Sequence, residues 1–308
     1  MPRIVISEFM DTDAVEWLSK SQDVHYDPKL VDEPDTLNPL LADCEALIVR
    51  NRTQVRPELL AKAPKLTVVG RLGVGLDNID QPACAERNIQ VIPATGANAL
   101  AVSEYVICTA MMLLRGAYLS SAQVAAGEWP RPALSKGHEL GGKTMGIVGF
   151  GGIGQLTGKL ARALGMKTVA YDPFLKPDAP ALTETGTRLL DMDALLKESD
   201  VVSLHIPLTP ETRKLFDASR IASMRKGAVL INTARGGIID EPALAEAIQS
   251  GHLAGAALDV FDNEPLAAGS VLVGVPNLVL TPHIGGVTEE SNTRVSSMIA
   301  ERVAQALG

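Results

Sequence analysis

The sequence predicts an α/β protein made of two doubly wound parallel-sheet domains, and three observations lead there. At 308 residues the chain exceeds the ~250 residues at which a single hydrophobic core usually stops growing, so two compact units are expected. Short β-branched runs alternate with longer helical patterns along its length, and every parallel crossover needs such a helix. A glycine-rich turn, Gly149 to Gly154, lies between one of these runs and a helical pattern, which is where a doubly wound sheet receives a ligand.

In chain order, Ile4–Ile6, Ala46–Val49, Leu66–Val69 and Val91–Ile92 read as strands of a small first domain, with a helix over Asp13–Ser19. A long helix runs from about Ala99 to Arg115. A Gly/Pro-rich connection follows, from Gly127 through Trp129-Pro130-Arg131-Pro132 to Gly141-Gly142. The second series of strands reads as Met145–Val148, Thr168–Tyr171, Val201–Leu204, Ala228–Ile231, Ala256–Asp259 and Leu278–Leu280. Six strands suit a complete nucleotide-binding sheet. The helical segment Glu289–Leu307 is too short for a domain and is expected to pack back onto the first one. Neither a solenoid-period repeat nor a low-complexity tract is visible.

Composition narrows the function classes. With 46% hydrophobic and 21% charged residues the chain reads as globular. Its 28 Lys+Arg against 36 Asp+Glu give a net charge of -8, which argues against nucleic acid or an anionic membrane as partner. Cys44, Cys84 and Cys108 lie far apart and leave one thiol over in any pairing, so reduced thiols in the cytoplasm are expected. Glu8 and Asp11 interrupt the N-terminus before any long apolar stretch, so no secretory signal is read there. The most apolar stretch, Tyr105–Leu114, is half the ~20 residues of a membrane span and reads as a buried helix. The five histidines show no metal-binding spacing, and no metal is expected.

The chemistry starts at Gly149-Phe-Gly151-Gly152-Ile153-Gly154. The first glycine permits a tight turn, the second lets backbone approach a pyrophosphate, and the third lets helix and strand pack closely. The helix N-terminus adds unpaired N–H groups that stabilise an anion without a basic side chain. Asp172, at the end of the next strand and 18 residues beyond Gly154, can accept hydrogen bonds from an adenosine ribose and would repel a 2'-phosphate. Pro173 and Phe174 follow with no arginine, so NAD is the expected cofactor.

Parallel strands all point one way, so residues just past different strands converge on the edge where the glycine turn lies. Arg235, Asp259 and His283 all hold such positions. Hydride addition to a 2-oxo acid builds negative charge on the carbonyl oxygen, and it calls for a proton donor and a cation for the carboxylate. His283 suits the first role, with Glu264 as its carboxylate partner, and the planar fork of Arg235 suits the second. His205 reads as a satisfied strand-end histidine, and His25, His138 and His252 as unrelated to the site.

With these residues in hand, the chain resembles the D-isomer-specific 2-hydroxyacid dehydrogenases, in their phosphoglycerate dehydrogenase-like branch. Four blocks carry the resemblance besides the nucleotide turn: Gly70-Arg-Leu-Gly73-Val-Gly75-Leu-Asp-Asn-Ile-Asp80, Asn232-Thr-Ala-Arg235-Gly-Gly-Ile-Ile-Asp240, Ala257-Leu-Asp259-Val-Phe and Thr281-Pro-His283-Ile-Gly-Gly286. The resemblance implies a Rossmann NAD-binding domain, residues 99–284, inserted in a flavodoxin-like substrate domain, residues 1–98 and 285–308. It implies Arg235, Glu264 and His283 as the catalytic set and Asp259 as a contact of the nicotinamide carboxamide. Ile153, Pro207 and Thr209 are implied to line the cofactor site, and Gly152, Thr233 and Ala234 are counted with them. Backbone N–H groups of Val74 and Gly75 are implied to hold the substrate carboxylate, and the long helix after Asn98 to contribute to a homodimer interface. No appended regulatory domain is expected after the final helix.

Arg50-Asn51-Arg52, at the end of a first-domain strand, offers two cations where a lactate-sized substrate needs none. This block is similar to that of (S)-sulfolactate dehydrogenases in the family, and it suggests a second anionic group on the substrate, as in phosphohydroxypyruvate or sulfopyruvate. A solvated surface pair is the competing reading. Two other functions stay open: a formate dehydrogenase-like enzyme, which would pair its histidine with glutamine rather than Glu264, and an NAD(H)-sensing protein like the corepressors that resemble this family.

Overall fold

The computed structural model describes residues 3–116 and 120–308. The chain divides into two compact units, Met1–Asn98 with Val287–Gly308, and Ala99–Gly286.

In the first unit, β1 (Ile4–Ile6), β2 (Val24–Tyr26), β3 (Ala46–Val49), β4 (Val68–Arg71) and β5 (Gln90–Pro93) form a parallel sheet in the order β2-β1-β3-β4-β5. Successive strand residues face opposite sides, and the two apolar clusters follow that alternation. Ile4, Ile6 and Ile48 pack with Ala14 and Leu18 of helix Thr12–Ser19 and with Ile299 and Val303 of helix Glu289–Leu307. Val5, Leu47 and Val49 pack on the other face with Leu37, Leu41 and Leu60. Both faces are covered, which is why β1 and β3 are uninterrupted apolar runs.

The second unit holds seven parallel strands: β6 (Thr144–Val148), β7 (Lys167–Tyr171), β8 (Arg188–Leu189), β9 (Val201–Leu204), β10 (Val229–Asn232), β11 (Gly255–Leu258) and β12 (Leu278–Leu280). Their order is β12-β11-β10-β9-β6-β7-β8. The chain winds outward from β6 in one direction and, from β9 on, in the other. The carboxyl ends of β6 and β9 therefore flank the switch point, the expected place for a ligand in such a sheet. Helix Ala99–Arg115 buries Val106, Ala110, Leu113 and Leu114 in this unit's core beside Met145, Ile147 and Ile231.

The structure departs from the expected elements in three places. β2 and β8 are not among the expected strands. Both are edge strands, half-buried or exposed, without the apolar run that marks a central strand. The strand expected at Leu66–Val69 lies two residues later, because Gly70 pairs inside the sheet with Ile48 and Ile92. Glycine is required there by the helix above it: a Cβ at Gly70 would lie 2.8 Å from Val303 and 2.9 Å from Ile299. Among the described residues no helix is long and apolar enough to cross a membrane.

Candidate active site

In the second unit, register puts the polar residues side by side. Asn232 pairs with Leu258, and Leu258 with Leu280, so Thr233, Asp259 and Thr281 leave three adjacent strands, each ~4.8 Å from the next. Asn232 then shapes the turn that carries Arg235: its Nδ2 donates to the Arg235 carbonyl at 2.8 Å, and its Oδ1 accepts from the Ala234 N–H at 3.0 Å. Arg235 Nη1 donates to the Ala234 carbonyl at 2.6 Å. Gly236 lies flat against the next loop, where a Cβ would come within 1.7 Å of the Phe261 carbonyl oxygen. The Arg235 turn therefore packs directly on the segment leading to Glu264.

Glu264 Oε2 lies 2.8 Å from His283 Nδ1, and its Oε1 accepts the Phe261 N–H at 3.1 Å. The bond to an ionised Glu264 assigns the ring proton to Nδ1, which leaves Nε2 to face a reactant. Nε2 makes no hydrogen bond among the described residues, and the His283 side chain is 44% exposed. His283 has φ +58, a left-handed conformation that costs a non-glycine residue ~1–2 kcal/mol. Its neighbours hold it there. Asp259, 1% exposed, accepts at Oδ1 from the Thr281 hydroxyl (2.6 Å) and the Ile284 N–H (2.8 Å), and at Oδ2 from the Gly285 N–H (2.7 Å).

At the switch point, Gly149 has φ +92, and a Cβ on it would meet the His205 carbonyl oxygen at 2.5 Å, so this tight turn admits only glycine. Asp172 braces the turn. Its Oδ2 accepts the Phe150 N–H at 2.8 Å and its Oδ1 the Phe174 N–H at 2.9 Å, and each oxygen keeps a lone pair for a hydroxyl donor. Helices Met192–Glu198, Ala218–Ser223 and Glu241–Gln249 are capped by the side chains of Asp191, Asp217 and Asp240, whereas helix Gly152–Ala163 has Gly151 at its N-cap and no side-chain cap. Ile153 sits in its uncapped first turn. Cβ atoms on Gly151 and Gly152 would meet open space. Thr233 Oγ1 is buried without a hydrogen-bond partner among the described residues. An uncapped helix start, an open glycine cradle and an orphaned hydroxyl fit a dinucleotide. After β9, the Thr212 hydroxyl accepts the Thr209 N–H at 2.7 Å and donates to the Pro207 carbonyl at 2.7 Å, closing the loop that carries both residues. His205 bonds the Ser203 hydroxyl at 2.9 Å, and desolvation pushes its imidazole down to about 4, so no charge stands there at neutral pH.

The first unit holds the remaining expected residues. The N–H groups of Val74 and Gly75, just past β4, donate to no protein acceptor among the described residues. The Arg50–Arg52 loop is wrapped around Glu8, a 4% exposed carboxylate that accepts four consecutive amides, from Arg50 (2.8 Å), Asn51 (3.3 Å), Arg52 (3.0 Å) and Thr53 (2.9 Å). Both guanidinium groups have partners within this unit. Arg50 donates to Asn292 Oδ1 at 2.8 Å and lies over the Phe9 ring, 5.6 Å from its centre. Arg52 forms an exposed ion pair with Asp32, whose carboxyl it holds below the usual range. The Asn51 side chain is exposed.

Sequence reasoning gives no role to Glu8, Thr212 or Tyr105, and sees Asn232 and Thr281 only as parts of motifs. Glu8 carries the same signal that pointed to Arg235 and His283, a polar residue just past a strand. Tyr105 carries none, being one member of an apolar helix.

Residues 107–285 match the family described as D-isomer specific 2-hydroxyacid dehydrogenase, NAD binding domain. The chain is 53% identical to the (S)-sulfolactate dehydrogenase of Chromohalobacter salexigens, over 100% of its own length and 99% of the relative's. It is 38% identical to the hydroxypyruvate reductase of Thermotoga maritima, covering 99% of this chain and 98% of that one. The crystal structure of D-lactate dehydrogenase from Aquifex aeolicus, complexed with NAD and lactic acid, superposes with a TM-score of 0.83 at 27% identity, covering 99% of this chain and 95% of that one.

Proposed function

Because the chain belongs to the D-isomer specific 2-hydroxyacid dehydrogenase family and is an NAD-dependent oxidoreductase, we propose that it interconverts a small dianionic 2-hydroxy acid and its 2-oxo acid, with His283 as general acid/base. The observation that carries this reading is the 2.8 Å bond between His283 Nδ1 and Glu264, which commits one ring nitrogen and leaves the other for a reactant. NAD, when bound, accepts or supplies the hydride. In reduction His283 Nε2 gives its proton to the carbonyl oxygen as that oxygen gains charge; in oxidation it takes the hydroxyl proton. Glu264 orients the ring and offsets its positive charge. Arg235 binds the substrate carboxylate through its planar fork, on a turn kept rigid by Asn232. Asp259 holds the His283 segment, and the nicotinamide contact expected of it would use the lone pair left on Oδ2.

On the substrate side, the Val74 and Gly75 N–H groups suit a carboxylate, and Arg50 and Arg52 suit the second anion. The name of the 53% identical relative points to a sulfonate there. A dianion has to compete with Asp32 for Arg52, so the contribution of that arginine is small. Buried free thiols at Cys44 and Cys84 suit the cytoplasm. The exposed stripe Leu100, Cys108 and Met111 on helix Ala99–Arg115 suits a homodimer.

The test is NADH oxidation with sulfopyruvate, phosphohydroxypyruvate, hydroxypyruvate and pyruvate. The highest kcat/KM is expected with a dianion. Equal kcat/KM for pyruvate would remove the dianion, and NADH binding without oxidation by any acid would favour the sensor. NAD reduction by formate alone would favour the formate dehydrogenase-like reading.

A further inference from the structure

We infer that Tyr105 is a positioning residue for proton transfer, acting through a hydrogen-bond chain from its phenol through the Thr281 hydroxyl and the Asp259 carboxylate to the backbone N–H groups of Ile284 and Gly285, just after His283. The inference rests on the reading of His283 as the acid/base and goes beyond it. Tyr105 Oη lies 2.5 Å from Thr281 Oγ1, which lies 2.6 Å from Asp259 Oδ1.

Chemistry sets the direction of both bonds. An ionised carboxylate only accepts, so the single hydroxyl proton of Thr281 goes to Asp259, and Tyr105 must donate to Thr281. Asp259 accepts in addition from the N–H groups of Ile284 and Gly285. The residues two before, one after and two after His283 are thus tied to one buried carboxylate. Among the described residues His283 itself is tied by its N–H to the Thr281 carbonyl at 3.0 Å and by its ring to Glu264. Its φ of +58 persists because these neighbours are fixed. Tyr105 belongs to helix Ala99–Arg115, whose Val106, Ile107, Ala110, Leu113 and Leu114 are core. Its phenol anchors the segment to that helix. Burial raises the phenol above its ordinary range, so it stays a donor through any workable assay pH.

A phenylalanine would fill the same space and remove only the donor. The experiment is single-turnover hydride transfer, with enzyme in excess over NADH and saturating 2-oxo acid, on wild type, Tyr105→Phe, Thr281→Val, Thr281→Ser and the Tyr105→Phe/Thr281→Val double variant. The rate constant reports chemistry in intact molecules, and the amplitude reports how many are intact. The expected result is a ~10-fold lower rate constant for Tyr105→Phe at full amplitude and unchanged NADH affinity. Thr281→Val falls further, Thr281→Ser stays near wild type, and the double variant is no slower than Thr281→Val. A wild-type rate constant for Tyr105→Phe, a loss confined to amplitude, or multiplicative losses in the double variant would each overturn the inference. His283→Gln runs alongside: if it turns over normally the acid/base reading itself is wrong, whereas a dead His283→Gln beside a wild-type Tyr105→Phe sinks only the chain from Tyr105.

Discussion

Both units place a carboxylate just past a parallel strand, bury it, and wrap a loop around it. Glu8 follows β1 and collects four backbone amides; Asp259 follows β11 and collects two amides and a hydroxyl. The loops differ in what they leave over. Around Glu8 the two guanidinium groups turn back to Asp32 and Asn292. Around Asp259 the histidine keeps Nε2 without a hydrogen bond among the described residues and faces solvent. In both units a buried acid braces a sheet-end loop, and the side chains on the loop decide whether a polar group is left over for a reactant.

Replacing His283 by Gln gives the sharpest break between the two loops. General acid/base catalysis contributes 10²–10⁴-fold, so kcat falls by ~10³-fold with NADH affinity retained; a fall under tenfold in steady-state assays would place the chemistry elsewhere. Glu8→Gln acts on stability. An amide offers one oxygen where two served four N–H groups, and its NH₂ faces donors, so unfolding in urea should come ~3 kcal/mol easier. A loss under ~1 kcal/mol would mean the loop does not depend on its acid.

His205 gives a smaller effect with a defined pH range. Its imidazole titrates at about 4 in the folded protein and near ~6.5 in the unfolded chain. The unfolded state takes up a proton first as pH falls, so stability drops between about pH 6.5 and 4 and levels off below. At about 1.4 kcal/mol per pKa unit the loss is ~3 kcal/mol. His205→Gln should remove that part of the acid sensitivity in melts across this range, and identical pH curves would refute it. The smallest effect is Arg52→Ala, whose partner Asp32 is exposed. The ratio of kcat/KM for sulfopyruvate over pyruvate should fall by less than tenfold with the unfolding midpoint unmoved; an unchanged ratio would remove Arg52 from the substrate.

Central strands were legible because burial on both faces writes them as apolar runs, as in Ile4–Ile6 and Val201–Leu204. Val24–Tyr26 and Arg188–Leu189 were not, since an edge strand is half-solvated and its ladder partner lies elsewhere in the chain. Gly70 reads as a breaker in a linear sequence, and only a helix more than two hundred residues later explains it as a strand residue. The pairing of Glu264 with His283 could be proposed because both chemical types were required by one reaction. The ties from Tyr105 and Asn232 could not, because a tyrosine in an apolar helix and an asparagine at a strand end have many ordinary uses. Their meaning comes from what the fold sets against them.

Helix Glu289–Leu307 supplies Val295, Ile299 and Val303 to the core formed with Ile4, Ile6 and Ile48. That cluster joins segments far apart in the sequence, so on a ribosome it stays incomplete until helix Glu289–Leu307 has emerged. All strands of the seven-stranded sheet lie before Gly286, so they are synthesised before that helix. The unit that begins first is therefore the later of the two to have all its segments synthesised.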